Sequence, residues 1–153
     1  MTLRRATQAD AAAVRALSRA AYAKWVPLIG REPKPMTADY DHAVRAHIVD
    51  LHEIDGVLEG LIEMIPERDH LLVENLAVRP GGAGRGLGTA LMVHAETVAR
   101  TMGFAEIRLY TNGAFASNIA FYERRGYAVT AREAFPAGGT IVFMRKDLPP
   151  INA

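Results

Sequence analysis

Apolar and polar positions along the chain predict strands and helices in a definite order. Residues 10–24 and 87–102 carry apolar side chains at helical spacing, and shorter helices are expected after Thr37 and Ser117 as N-caps. The buried stripe of the longest helix is predicted to contain Leu87, Leu91, Ala95, Val98 and Met102. Strands are predicted at residues 2–5, 47–53, 57–65, 70–78, 106–111, 127–132 and 140–146.

The order of these elements indicates the fold class. Asp55 and Gly56 join two strands with a strong hairpin signal, and a third strand follows, so an antiparallel meander precedes the longest helix. Residues 27–35 hold three prolines and a glycine, which are expected to break the first helix. We therefore predict an α/β fold with α+β layers, in which helices cover a mixed sheet.

The composition limits the chemistry that the chain can perform. The chain has 153 residues, of which 50% are hydrophobic and 23% are charged, and its net charge is +1, so neither nucleic acid nor a membrane is an expected partner. The sequence has no cysteine, which excludes disulfides, thiolate metal ligands and a cysteine nucleophile. The five histidines lack the spacing of metal ligands, so no metal is predicted. A single cytoplasmic domain, residues 1–153, is expected, since no signal-peptide pattern is present.

A glycine-rich turn lies between the strand at 70–78 and the longest helix. Residues 76–91 read LAVRPGGAGRGLGTAL, with five glycines within eight residues. Glycine lets a ligand approach the backbone closely, and the first amides of a helix attract anions, so the turn is a candidate phosphate cradle rather than only a tight turn. A P-loop would need a lysine, which Leu87-Gly88-Thr89 lacks. Glu106 has the spacing of a dinucleotide-binding acid, but the meander argues against that fold.

Two motifs resemble those of the GNAT superfamily, whose members transfer acyl groups from acyl-coenzyme A to amines. The first matches the pyrophosphate-binding motif of the superfamily, with Ala83 where Gln or Arg is usual, and contains Val78, Pro80, Gly84, Arg85, Gly86, Leu87 and Gly88. The second comprises LYTN at 109–112 and SNIAFYERRGY at 117–127. The strand at 142–148 resembles the last strand of the family. The resemblance implies a mixed, mostly antiparallel sheet of about six to seven strands, flanked by four helices.

The resemblance also implies the residues that bind acetyl-coenzyme A (acetyl-CoA) as cosubstrate. Backbone groups of one strand end would pair with the pantetheine arm, and the glycine-rich turn would bind the pyrophosphate. The implied residues are Leu76, Ala77, Val78, Gly84, Arg85, Gly86, Leu87, Gly88, Thr89 and Asn118. A helix cap is the alternative role for Asn118.

Acetyl transfer needs a neutral amine and a protonated leaving thiol, which suggests two catalytic residues. Tyr122 matches the general acid of the family, although it could instead be a core aromatic. Glu74 is the candidate base, directly or through water, and Glu63 is the second candidate. With a period of two, Glu74, Leu76 and Val78 are predicted to share one face of their strand.

The predicted function is an N-acetyltransferase that moves acetyl from acetyl-CoA to a primary amine by direct attack in a ternary complex. Two alternatives are a non-catalytic acyl-CoA sensor of the same fold and an acyltransferase that uses a longer acyl chain. The acceptor would be a small-molecule or peptide amine whose identity the sequence does not reveal. Many relatives are homodimers, so the oligomeric state of this chain, including a homodimer, is left open. In this family, the acceptor site is bordered by segments that here contain Tyr22, Trp25, Tyr40 and Phe135.

Overall fold

A computed structural model describes residues 2–81 and 86–151 of the chain. Six α-helices lie in these residues, two of them single turns: α1 (Ala11–Tyr22), α2 (Val26–Ile29), α3 (Lys34–Thr37), α4 (Tyr40–Ala46), α5 (Leu87–Thr101) and α6 (Ala116–Glu123). Seven strands form one sheet: β1 (Arg4–Arg5), β2 (Ile48–Ile54), β3 (Val57–Pro66), β4 (Leu71–Val78), β5 (Glu106–Asn112), β6 (Ala128–Ala134) and β7 (Thr140–Asp147). Their order in the sheet is β1-β2-β3-β4-β5-β7-β6.

The chain divides into two compact units, and the first contains Met1–Ile65 and Glu74–Ala95. In this unit β1 and β3 both pair antiparallel with β2. Asp55 and Gly56 have φ angles of 51° and 77°, as the predicted hairpin turn between β2 and β3 requires. One apolar core joins α1, α4 and the strands, and its buried residues include Val14, Leu17, Tyr40, Ala43, Val49, Leu51, Leu61 and Ala77.

The second unit contains Pro66–Val73 and Glu96–Ala153. The first three residues of β4 pair in parallel with residues 107–109 of β5. The strand β7 pairs antiparallel with both β5 and β6. Side chains of β5, α6 and β7 fill this unit, and its buried residues include Ile107, Leu109, Tyr122, Tyr127, Val142 and Met144.

The architecture confirms the predicted fold class: a mixed, mostly antiparallel sheet of seven strands with flanking helices. Four of the helices exceed one turn, as predicted, and residues 27–35 contribute to two further single turns. The prediction of one domain over residues 1–153 stays a prediction. No helix within the described ranges is long and apolar enough to cross a membrane.

Both predicted helix caps are wrong. Asp39, not Thr37, caps α4, because its side chain accepts a hydrogen bond from the amide of His42 at 3.1 Å. Thr37 ends the preceding helical turn, where its hydroxyl lies 3.3 Å from the carbonyl oxygen of Lys34. Phe115, not Ser117, is the N-cap of α6, and its side chain makes no capping hydrogen bond.

The predicted stripe of α5 is only partly correct. Leu91 and Ala95 are fully buried, but Val98 is half-buried and Met102 is 46% exposed. The helix ends at Thr101, so Met102 lies beyond it, before Gly103 turns the chain with φ 86°. The buried face is instead completed by neighbouring positions, namely Met92, Glu96 and Ala99.

Candidate functional site

The strand β4 presents two different faces along its whole length. Burial alternates strictly from Leu71 to Val78, so that Val73, Asn75 and Ala77 are buried. Glu74, Leu76 and Val78 are half-buried and share the opposite face, which confirms the predicted parity.

The glycine-rich turn joins β4 to α5 in the first unit. Gly81 and Gly86 have φ angles of 88° and 72°, which residues with a side chain rarely adopt. A Cβ added to Gly86 would meet no heavy atom of the described residues within 4 Å, so these residues leave space beside it. Gly84 and Arg85, predicted to bind the coenzyme, lie outside the described residues, as does Ala83.

The N-terminus of α5 has the geometry of an anion site. Its first intrahelical bond runs from the amide of Ala90 to the carbonyl oxygen of Gly86 at 3.0 Å. The amides of Leu87, Gly88 and Thr89 precede it in the first turn, whose N–H groups point toward the positive end of the helix. The first amides of this 15-residue helix therefore suit an anion, and binding of the coenzyme pyrophosphate there stays a prediction.

Gly60 on β3 allows α5 to begin close to the sheet. A Cβ at position 60 would lie 2.9 Å from Cδ2 of Leu87, which is too short for real atoms. Only glycine therefore fits without a shift of that leucine. The side chain of Leu87 therefore packs against β3, and coenzyme binding by its backbone amide stays a prediction.

Glu74 forms an ion pair with a lysine that the sequence motifs do not identify. The Nζ atom of Lys34 lies 2.8 Å from Oε1 of Glu74. The carboxylate side chain is 14% exposed, whereas the lysine side chain is 62% exposed. The predicted base is therefore already in contact with an ammonium group.

Glu63 lies on β3 and is buried, with a histidine as its partner. Its Oε2 atom lies 2.6 Å from Nδ1 of His47. Burial raises the pKa of Glu63 above its usual value, and the hydrogen bond with His47 opposes the rise. The charge of Glu74 also raises the pKa of Glu63, so the two candidate bases interact electrostatically.

A buried polar network lies behind Glu74 on the other face of β4. The amide nitrogen of Asn75 donates to Oγ of Ser18 at 2.9 Å and to the hydroxyl of Tyr40 at 3.2 Å. Burial raises the pKa of Tyr40 to about 12, and its hydroxyl donates to the carbonyl oxygen of Pro35 at 2.5 Å. Tyr40 is 1% exposed, so it belongs to the core of the first unit.

In the second unit, Tyr122 lies on α6 and is only 8% exposed. Its ring makes edge-to-face contacts with Phe121 and Tyr127, at centroid distances of 5.2 and 6.0 Å. Burial raises the pKa of Tyr122, and the positive charge of Arg125 opposes the rise. Within residues 2–81 and 86–151, no group makes a hydrogen bond with its hydroxyl. Tyr122 is thus a core aromatic of this unit, and its role as general acid stays a prediction.

Asn118 is half-buried in the first turn of α6. Because Phe115 is the N-cap, the alternative role of Asn118 as a cap is wrong. Its part in coenzyme binding stays a prediction. Within the described parts of the chain, no three His, Asp or Glu side chains are grouped as metal ligands would be.

Three residues of this region were missed by the sequence analysis. Lys34, His47 and Ser18 contact Glu74, Glu63 and Asn75 respectively. Each pair is separated by at least 16 residues in the chain, and neither spacing nor residue type signals such a pairing. The sequence motifs therefore predict the strand and the turn but not the partners of the carboxylates.

A family model for the Acetyltransferase (GNAT) family matches residues 13–127. The chain therefore belongs to the GNAT acetyltransferase family, which confirms the predicted superfamily and its acyltransferase class. Streptothricin acetyltransferase from Streptomyces lavendulae is 32% identical over 88 residues, 56% of this chain and 47% of that protein. The chain spans less than half the length of the curated relatives it matches.

Solved structures share the fold over nearly the whole chain. A GNAT-family protein from Desulfovibrio desulfuricans has a TM-score of 0.80 at 21% identity, covering 97% of this chain and 99% of that one. The yncA protein from Salmonella typhimurium, solved with its cofactor acetyl-CoA, has a TM-score of 0.72 at 22% identity. That match covers 100% of this chain and 96% of the other. At these identities, the likeness establishes the GNAT fold.

Proposed function

We propose that this chain transfers the acetyl group of acetyl-CoA to a primary amine, which is a small molecule or part of a peptide. The observation that carries the proposal is the strand, turn and helix at residues 71–101 of a GNAT-family chain. Gly86 has a positive φ there, and the described residues leave space beside it, immediately before a long helix. A helix N-terminus preceded by such a turn suits the pyrophosphate of coenzyme A.

In the proposed reaction, the amine attacks the thioester directly in a ternary complex. The nitrogen lone pair forms the C–N bond, and the C–S bond breaks. A carboxylate accepts the proton that the amine loses, and the hydroxyl of Tyr122 gives a proton to the departing thiolate. We assign the base to Glu74, whose contact with Lys34 at 2.8 Å indicates that its carboxylate suits an ammonium group. Backbone groups of Leu76, Ala77 and Val78 would bind the pantetheine arm.

Glu63 is the second candidate for the base, and one observation favours it. Burial raises its pKa, and a carboxylate whose pKa lies nearer neutrality is a stronger base. The pH profile of kcat/KM in Glu74→Gln and Glu63→Gln separates the two. The base is the residue whose replacement lowers kcat/KM by about 100-fold or more and removes the rise with pH.

Release of free thiol from acetyl-CoA in the presence of a panel of amines tests the proposal. The panel should contain amino acids, polyamines, aminoglycosides and short peptides, with each amine also tested against a longer acyl-CoA. Thiol release that depends on the amine supports acetyl transfer. Tight coenzyme binding without thiol release for any amine would instead support a non-catalytic acyl-CoA sensor. Faster thiol release from the longer acyl-CoA than from acetyl-CoA would support an acyltransferase that uses a longer acyl chain.

A further inference from the structure

The amine of Lys34 lies at hydrogen-bonding distance from the carboxylate that we propose as the base. Its Nζ atom is 2.8 Å from Oε1 of Glu74, which is hydrogen-bonding distance for proton transfer. Its side chain is 62% exposed, so the amine is accessible to solvent as well as to Glu74.

The backbone around Lys34 is fixed by contacts on its C-terminal side. The guanidinium of Arg19 donates to the carbonyl oxygen of Met36 at 2.6 Å. The hydroxyl of Tyr40 donates to the carbonyl oxygen of Pro35 at 2.5 Å, and Met36 is 7% exposed. These contacts fix the short helix α3, and with it the backbone of Lys34, against α1 and α4.

The other two lysines of the chain have different surroundings. Lys24 lies over the ring of Trp25, with its Nζ atom 5.0 Å from the centroid. Lys146 donates to Oε1 of Glu96 at 3.0 Å, in the second unit. Within residues 2–81 and 86–151, Lys34 is the lysine whose ammonium group contacts a carboxylate that we propose as a base, so Lys24 is a matched control for its reactivity.

We propose that Lys34 is a site of self-acetylation, an inference that rests on the proposed acetyl transfer with Glu74 as base. The ammonium of Lys34 gives a proton to Glu74, and its lone pair then attacks the carbonyl carbon of acetyl-CoA. The C–N bond forms, the C–S bond breaks, the nitrogen loses its second proton to solvent, and the thiolate takes a proton from solvent. The product is a neutral amide at Nζ and free coenzyme A. The reaction removes the positive charge of Lys34 and therefore its ion pair with Glu74.

The experiment incubates the purified chain with acetyl-CoA that carries an isotopically labelled acetyl group, with no other amine. Peptide mass spectrometry then follows the label at Lys34, Lys24 and Lys146 over time. Because the amine is held beside its base, the label should appear at Lys34 roughly tenfold or more faster than at Lys24. The rate at Lys34 should not change when the protein is diluted at constant acetyl-CoA, as expected for a reaction within one chain.

Three variants complete the test. Glu74→Gln should abolish the preference for Lys34, Lys34→Arg should leave no label at that peptide, and Lys24→Arg should leave labelling of Lys34 unchanged. Equal labelling of Lys34 and Lys24, or a preference that survives in folded Glu74→Gln, would overturn the proposal. Thiol release with an external amine, but no labelling of Lys34, would overturn self-acetylation and leave the proposed function standing. Neither thiol release nor label would overturn both.

Discussion

The hydroxyl of Tyr22, the last residue of α1, donates a hydrogen bond to the carbonyl oxygen of Leu76 at 3.1 Å. The peptide group is planar and trans, so an oriented carbonyl also orients the N–H of Ala77, which points the opposite way. In the proposed function, this peptide group belongs to the strand end that binds the coenzyme. An aromatic side chain of the first helix therefore fixes one peptide group of the proposed site.

Tyr22→Phe should weaken acetyl-CoA binding while the chain stays folded. The loss of one hydrogen bond of about 1 kcal/mol corresponds to a roughly fivefold rise in Kd. Calorimetric titration of acetyl-CoA measures it. Tyr127→Phe is the control, because its hydroxyl donates to Glu96 in the second unit, and its Kd should match that of the wild type. An equal Kd for Tyr22→Phe and wild type would show that the hydrogen bond does not orient a binding group.

Gly86→Val should abolish coenzyme binding. The φ of 72° at Gly86 disfavours any residue with a Cβ by about 1–2 kcal/mol, and a valine side chain would also block the approach of a phosphate. Gly103→Val is the matched control, since Gly103 has a φ of 86°, open surroundings and a place at the other end of α5. Both variants should lose similar stability in thermal unfolding. Coenzyme affinity that is equal in the two variants would exclude the turn as the phosphate site.

The strands and the turn could be predicted because their signals are local. Burial in β4 follows the alternation of its sequence, and the φ angles at Asp55 and Gly56 match the hairpin dipeptide. A period of two and a turn dipeptide depend only on neighbouring residues. The GNAT motifs extended this prediction to the whole sheet.

The helix caps and the side-chain contacts could not be predicted, because they depend on residues that are distant in the sequence. Thr37 and Asp39 are both good N-caps in isolation, but Thr37 belongs to α3, whose Met36 and Pro35 carbonyl oxygens accept tertiary hydrogen bonds, and Asp39 caps α4. The pair of Lys34 and Glu74 joins residues 40 positions apart, which no local pattern encodes. The partners of the two candidate bases could therefore be identified only from the folded structure.

Asp10→Asn should remove part of the dependence of stability on pH in acid. Both carboxylate oxygens of Asp10 are bonded: Oδ1 to Arg4 at 2.7 Å and Oδ2 to the amide of Thr7 at 2.7 Å. The hydrogen bond from Arg4 lowers the pKa of Asp10 well below its usual range. The carboxyl group of Asp10 therefore binds a proton more readily in the unfolded chain than in the folded chain. The stability that the ionised carboxylate contributes is present above the unfolded-state pKa and is lost as pH falls toward the folded-state pKa.

Urea denaturation at several pH values checks this prediction. Below a pH of about 4, the free energy of unfolding should fall less steeply with decreasing pH in Asp10→Asn than in the wild type. Asp147→Asn, at a side chain that is 77% exposed, is the control and should keep the wild-type slope. Parallel slopes for wild type and Asp10→Asn would mean that the pKa of Asp10 is not lowered by folding.

Tyr122→Phe should slow the chemical step while the ring and its packing remain. If the phenol protonates the departing thiolate, turnover should fall by about 100- to 10,000-fold. Burial raises the pKa of Tyr122, so its hydroxyl should stay protonated. Ionisation of Tyr122 should therefore not lower the wild-type rate below a pH of about 10.

Tyr127→Phe is again the matched control, because it removes a second buried hydroxyl from the same unit. That hydroxyl lies 2.9 Å from Oε2 of Glu96, so its loss should lower thermal stability and leave the chemical step unchanged. Single-turnover rates with saturating acetyl-CoA separate chemistry from product release. A rate for Tyr122→Phe within a few-fold of Tyr127→Phe at every pH would assign Tyr122 to the core alone, and the thiolate would then leave without a protein acid.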